Sequence, residues 1–292
     1  MLNIQYSIKS PYTLVSRQPS DTYFRIGLQP SINHYALLIK RMPIVRSLKE
    51  YLANRVIRSV RDTEPEAAYD IWSKEYDQQP DNLMLALDEQ IFTALSNQTS
   101  ITGKMLADIG CGTGRHWKFL LDKRPKSLAG YDVSRGMLEK LKQKFPEAET
   151  HRLERDLLPD IDSSSIDLLI STLTVAHIEN IGEAFTEWNR VVKPGGNLII
   201  TDYHPQALAK GGKRTFKQGQ TLFAVRNYIY TLQHIREIAD VLNWELVQFI
   251  EKRIDESMRP YYSKQGAEKI FENFKGVPII YGMLLKKKNA VA

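Results

Sequence analysis

The chain has 292 residues and 42% hydrophobic content, enough for one large buried core with additions and ordinary for a soluble globular protein. It holds no run of about eighteen uninterrupted apolar residues, so the sequence offers no membrane-spanning helix. The single cysteine, Cys111, excludes an internal disulfide and fits a reducing, cytoplasmic setting, and no Cys/His/acid cluster has metal-ligand spacing, so no metal is expected.

The net charge of +6 is unevenly placed. Residues 1–61 hold ten Lys or Arg against Asp21 and Glu50, a balance of +8 that leaves residues 62–292 at −2. This divides the chain into a basic arm, 1–61, and a larger domain, 62–292, with no nucleic-acid-binding face expected on the latter. Within the arm, Leu38, Met42, Val45, Leu48, Leu52, Val56 and Val60 recur at steps of three or four, a helical stripe. Pro43 suits the first turn of a helix. Four roles fit: a lid or an element exchanged within a homo-oligomer, a contact with an anionic membrane surface, a cleaved transit peptide, or a solvated extension.

Beyond residue 62, apolar runs alternate with helical stretches. That order predicts an α/β fold, a doubly wound parallel sheet with helices on both faces. The run Leu106 to His116 is its most telling part: an apolar strand carrying Asp108 enters three glycines, Gly110, Gly112 and Gly114, and a helix-compatible run follows. Glycine lacks a Cβ, so such a turn takes positive φ and lets a ligand lie against the backbone. The pattern is close to the dinucleotide fingerprint, with the third glycine one residue early. Ser127–Asp132 reads as the next strand. A carboxylate at Asp132 can accept hydrogen bonds from both hydroxyls of a ribose, or it can cap the helix after Ser134. Further along come Arg155-Asp156-Leu157-Leu158-Pro159, the apolar run Ile166 to Ile178, and Val191-Val192-Lys193-Pro194-Gly195-Gly196 leading into a strand that ends at Asp202. Each motif closes at a strand's carboxyl end, where ligands bind in such sheets. From Tyr203 to about Gly219 the sequence is polar and reads as a long loop, of a length that is often functional. A helix through Leu242, a strand at Trp244–Glu251, a mixed segment over 255–276 and a last strand at Val277–Leu285 complete the chain.

Taken together these motifs resemble class I S-adenosylmethionine (SAM)-dependent methyltransferases of the small-molecule type, over roughly Glu66 to Lys288. The resemblance implies a Rossmann-like sheet of seven strands ending in an antiparallel hairpin, preceded here by a helical N-terminal extension. It implies SAM as cofactor, held by Asp108, Gly110, Gly112, Gly114 and Asp132. Asp156 would face the adenine amino group and the Leu157 N–H a ring nitrogen. Ser171 opens the loop that would pass beside the sulfonium. Ala68 to Asp77 resembles the helix and lid of such enzymes, with Tyr69 and Tyr76 over the methionine end or simply packed in the core. Arg115 could meet the cofactor carboxylate or form a surface ion pair. His204 and His177 are the candidate catalytic residues, since a neutral imidazole suits proton removal near pH 7. The loop at Ser171-Thr172-Leu173-Thr174 lacks the Asn/Asp-Pro-Pro-aromatic run of nucleic-acid amino methylation, Glu179 lacks a partner glutamate, and no Pro-Cys is present. These absences favour a small-molecule acceptor. Two alternatives stay open: a cyclase or isomerase that uses bound SAM without methyl transfer, and an RNA or protein methyltransferase docking through the arm.

Overall fold

A computed structural model describes residues 60–79, 81–154 and 158–289. Its main sheet has seven strands in the order β4 (Glu149–Arg152), β3 (Ser127–Asp132), β2 (Met105–Ile109), β5 (Ile166–Thr172), β6 (Val192–Tyr203), β10 (Pro278–Lys287) and β9 (Trp244–Arg253). The first five are parallel, and β10 runs antiparallel to both β6 and β9. The central strands are apolar on both faces because helices cover both. On one side Leu106, Leu168 and Ile170 pack on α2 (Leu83–Ser96), α3 (Trp117–Asp122) and α4 (Arg135–Lys144). On the other, Ala107, Ile109 and Leu169 pack on α5 (Ile181–Val191) and α7 (Leu232–Val241). Connections leave β2 and β5 toward opposite sides of the sheet, which opens a crevice at their carboxyl ends. The Pro194-Gly195-Gly196 turn lies inside β6: Ile166 pairs with Val192 but Leu168 already pairs with Asn197, so the intervening residues bulge out, with Gly195 at φ 76°.

The stretch expected as a loop after Tyr203 is folded. It forms α6 (Pro205–Ala209), then the hairpin β7 (Thr215–Gln218) and β8 (Thr221–Val225). Strand β1 (Val60–Thr63) joins β8 in parallel to complete a second, three-stranded sheet. Strands of four or five residues give too little periodicity to register in sequence. Aromatic packing holds this sheet against α1 (Pro65–Trp72): Trp72 stacks on Phe216 at 4.7 Å, and Phe216 on Phe223 at 5.1 Å. The helical stripe is corrected at its end. Val60 opens β1, pairs with Leu222 and is 46% exposed. The other stripe residues, and the arm through residue 59, lie outside the described residues. The last two short helices are α8 (Arg259–Ser263) and α9 (Glu268–Phe274). No described helix is long and apolar enough to cross a membrane.

Candidate active site

A cavity of about 480 Å³ lies over the carboxyl ends of β2, β3 and β5, roofed by α1 and the residues just after it. One end is made by the glycine turn. Gly110, Gly112 and Gly114 have φ of 71°, 54° and 72°. At Gly110 a Cβ would lie 2.1 Å from Thr174 Oγ1, so the turn and the loop after β5 close on each other only without a side chain. Gly112 donates its N–H to Asp132 Oδ2 at 2.8 Å, and Ser134 donates its N–H to Oδ1 at 2.8 Å. The actual N-cap of α4 is Ser134, whose hydroxyl accepts from the Met137 N–H. Asp132 therefore faces the cavity with its oxygens fixed by two backbone donors and two lone-pair sites still open. Asp108 also lines the cavity and accepts from Trp117 Nε1 at 2.8 Å. Burial pushes both carboxyls up to about 6, against the pull of these hydrogen bonds. Burial also raises the Cys111 thiol well above its ordinary value, so it stays neutral. The roof helix is pinned to this end by Asp70, which accepts from the Ser134 hydroxyl at 2.6 Å and the Gly136 N–H at 2.9 Å.

The other end gathers Tyr69 and Tyr76 from the roof with Leu173, His177 and Tyr228. The Tyr69 hydroxyl lies 3.0 Å from His177 Nε2. His177 Nδ1 lies 2.8 Å from the Arg226 carbonyl oxygen. Burial and the nearby Arg214 guanidinium hold the imidazole well below its ordinary pKa, so it is neutral across the physiological range. Burial raises the Tyr69 phenol as well.

Not all the candidate residues meet here. His204 is corrected: it is 2% exposed, does not line the cavity, and caps α6 through Nδ1, which accepts from the Gln206 N–H at 3.2 Å. Its Nε2 is 3.0 Å from Glu251. A histidine directly after β6 ahead of Pro205 serves as an N-cap, and that turns it away from the crevice. Ser171 is also corrected. It follows Leu169 on the same strand face, the one packed on α5 and α7, and is fully buried, whereas Thr172 to Thr174 reach the cavity. Asp156 and Leu157 lie outside the described residues. Arg115 and His116 line the cavity but are tied behind it to Asp88, a fully buried carboxylate on α2 that Thr201 also bonds. Burial would raise Asp88, yet Arg115, His116 and Thr201 together hold it well below the usual carboxylate range. Sequence reasoning missed Asp88 and Arg214. Asp88 did leave a signal: it falls between Met84 and Ile91 on the helix's apolar face, where a charge needs a partner.

A family model described as a methyltransferase domain matches residues 107–200. The chain is 32% identical over 113 residues to the ubiquinone/menaquinone biosynthesis C-methyltransferase UbiE of Campylobacter jejuni, covering 37% of this chain and 47% of that protein. It is 33% identical over 141 residues to the malonyl-[acyl-carrier protein] O-methyltransferase of Yersinia pestis, covering 46% and 49%. A solved S-adenosylmethionine-dependent methyltransferase fold from Listeria monocytogenes superposes with a TM-score of 0.56 at 17% identity, over 69% of this chain and 98% of that one. Residues 107–200 therefore carry a methyltransferase domain, and the described fold is that of S-adenosylmethionine-dependent methyltransferases. The chain spans about half the length of the curated relatives it matches.

SAM is the cofactor of such methyltransferase domains, and the residues of the glycine end fit it. The Gly110 cradle has no room for a Cβ, Gly112 has open space where one would stand, and Asp132 presents a buried acceptor-only group of the kind a ribose diol requires.

Proposed function

We propose that this chain transfers a methyl group from SAM to an oxygen, nitrogen or carbon nucleophile of a small molecule. The observation that carries this reading is one continuous cavity with a nucleoside-suited cradle at one end and the Tyr69–His177 pair at the other. When bound, SAM supplies a methyl carbon made electrophilic by its sulfonium. The chain's own work is to orient, to exclude water and to accept a hydrogen bond from the nucleophile. Asp132 takes the ribose hydroxyls, and Asp108 and the glycine turn shape the floor. Asp156 and Leu157 take the adenine edge. Tyr69 and Tyr76 close the roof over the reacting centre, and His177 orients Tyr69 from behind. Residues 1–61 serve as an appendage to the domain at 62–292, as a lid, a contact between subunits or a membrane-surface contact, in a cytoplasmic protein.

The reading is tested by incubating the protein with SAM and a panel of small acceptors and following both species by mass spectrometry. S-adenosylhomocysteine and a product heavier by one methylene are expected together. A converted acceptor with intact SAM would replace this reading with cyclase or isomerase chemistry. Turnover confined to RNA or protein substrates, weakening steeply with salt, would move the acceptor class to macromolecules.

A further inference from the structure

Arg214 belongs to no motif and lies on the segment entering β7, yet it is 5% exposed and joins four separate parts of the molecule. Its Nη1 donates to the Leu173 carbonyl at 2.6 Å and to the Tyr69 hydroxyl at 2.7 Å, and it also touches His177 Nε2. Its Nη2 donates to Asp202 Oδ1 at 3.1 Å, and the guanidinium carbon lies 4.7 Å from the Tyr203 ring centre. Asp202 is held in turn by the N–H groups of Ala176 at 2.6 Å and Tyr203 at 2.7 Å. The cation is therefore buried, paired and fixed in orientation.

Counting protons gives the network a direction. The Arg226 carbonyl only accepts, so His177 Nδ1 carries the imidazole hydrogen and Nε2 presents a lone pair. The two Nη1 hydrogens of Arg214 face three acceptors, the Leu173 carbonyl, the Tyr69 oxygen and His177 Nε2, and giving them to the two oxygens is the arrangement that leaves no hydrogen of the cluster unmatched. The Tyr69 hydrogen is then left to donate to Nε2, and its oxygen keeps one lone pair free.

We propose that Arg214 is a positioning residue, which locks Tyr69 and His177 into one hydrogen-bond direction and leaves a Tyr69 lone pair to accept a hydrogen bond from the incoming nucleophile. Its use in catalysis rests on the methyl-transfer reading above; its geometry does not. It ties the small sheet to the active site, because the segment entering β7 carries the residue that aligns the roof with the loop after β5. The titratable and charged groups around His177 are Tyr69 from α1, Arg214 ahead of β7, and Glu179 and Tyr228 on the cavity wall, with Asp202 reaching it only through Arg214.

Nitrogen-15 NMR of histidine-labelled full-length protein tests this without any acceptor. In the unaltered protein His177 is expected as the neutral Nδ1–H tautomer, with a titration midpoint well below the ordinary histidine value. An Nε2–H tautomer there would overturn the proposal with no variant needed. Arg214→Gln paired with Asp202→Asn removes both charges and avoids a stranded carboxylate. In that variant the His177 midpoint should move up, while Arg214→Lys should hold it low. An unmoved midpoint in the folded double variant would also overturn it. Calorimetry with S-adenosylhomocysteine separates the two readings: affinity in the double variant should stay within about twofold of the unaltered protein, since kcat and not cofactor binding is the quantity affected. A tenfold loss would make Arg214 part of the cofactor site and overturn the proposal. Failure of the unaltered protein to bind S-adenosylhomocysteine would sink the methyl-transfer reading while leaving the His177 result to decide Arg214.

Discussion

The glycine end of the cavity is assembled from near neighbours in sequence: Asp108, three glycines within five residues, and Asp132 twenty residues beyond Gly112, joined largely through backbone N–H groups. The far end joins Tyr69, His177 and Arg214, which stand 108, 145 and 37 residues apart pair by pair and meet only through side chains. One end is thus set by local backbone conformation, and the other by tertiary packing of a second small sheet on a helix. A local turn survives in sequence as spacing, whereas a long-range polar network leaves no spacing at all.

Perturbing the two ends should separate them. The largest effect is expected at Gly110. Gly110→Ala places a Cβ 2.1 Å from Thr174 Oγ1 at φ 71°, combining backbone strain of about 1–3 kcal/mol with overpacking of about 1–3 kcal/mol. Urea unfolding should show several kcal/mol of lost stability. Adding Thr174→Ala should return part of the overpacking share and none of the strain.

At the far end, the two histidines should behave differently. His177→Gln should lower turnover by about 10- to 100-fold, the effect of about 1.5–3 kcal/mol for a lost oriented hydrogen-bond partner, with little change in cofactor affinity. His204→Gln should cost about 0.5–2 kcal/mol in thermal stability as a lost helix cap, with unchanged turnover per folded molecule. Equal turnover losses in both would mean that the cavity wall has been drawn in the wrong place.

A smaller effect is expected from pH. Burial holds the native carboxyls of Asp108 and Asp132 at about 6, above the ordinary aspartate value of about 3.8. Between those values the folded state binds more protons than the unfolded one. Their stabilising contribution is therefore complete below the lower value and is lost as pH rises through about 6. Stability measured by denaturant should fall across that window, and Asp132→Asn should flatten the slope. Cofactor affinity should run the other way, weakening below about pH 6 as Asp132 takes up a proton and loses acceptor sites.

The sequence made the seven-stranded sheet, the glycine turn, Asp132 and the strand-five loop legible because each is a contiguous run whose pattern follows from its own backbone. His204 misled because chain position gives a strand's end but not the direction a capping side chain takes. Ser171 misled by one residue, which on a strand means the opposite face. Arg214 was invisible because its role comes from Asp202 and Tyr69, and nothing near it in the chain announces a buried partner.

The most direct test of the account is calorimetric titration of SAM into the full chain and into Asp132→Ala. One-to-one binding is expected in the unaltered protein, weakened in a folded Asp132→Ala variant by about 1.5–3 kcal/mol for each hydrogen bond lost to the charged acceptor, or at least tenfold in affinity. Equal affinity in the two proteins would contradict it, because the cavity over the glycine turn would then not be where the cofactor sits.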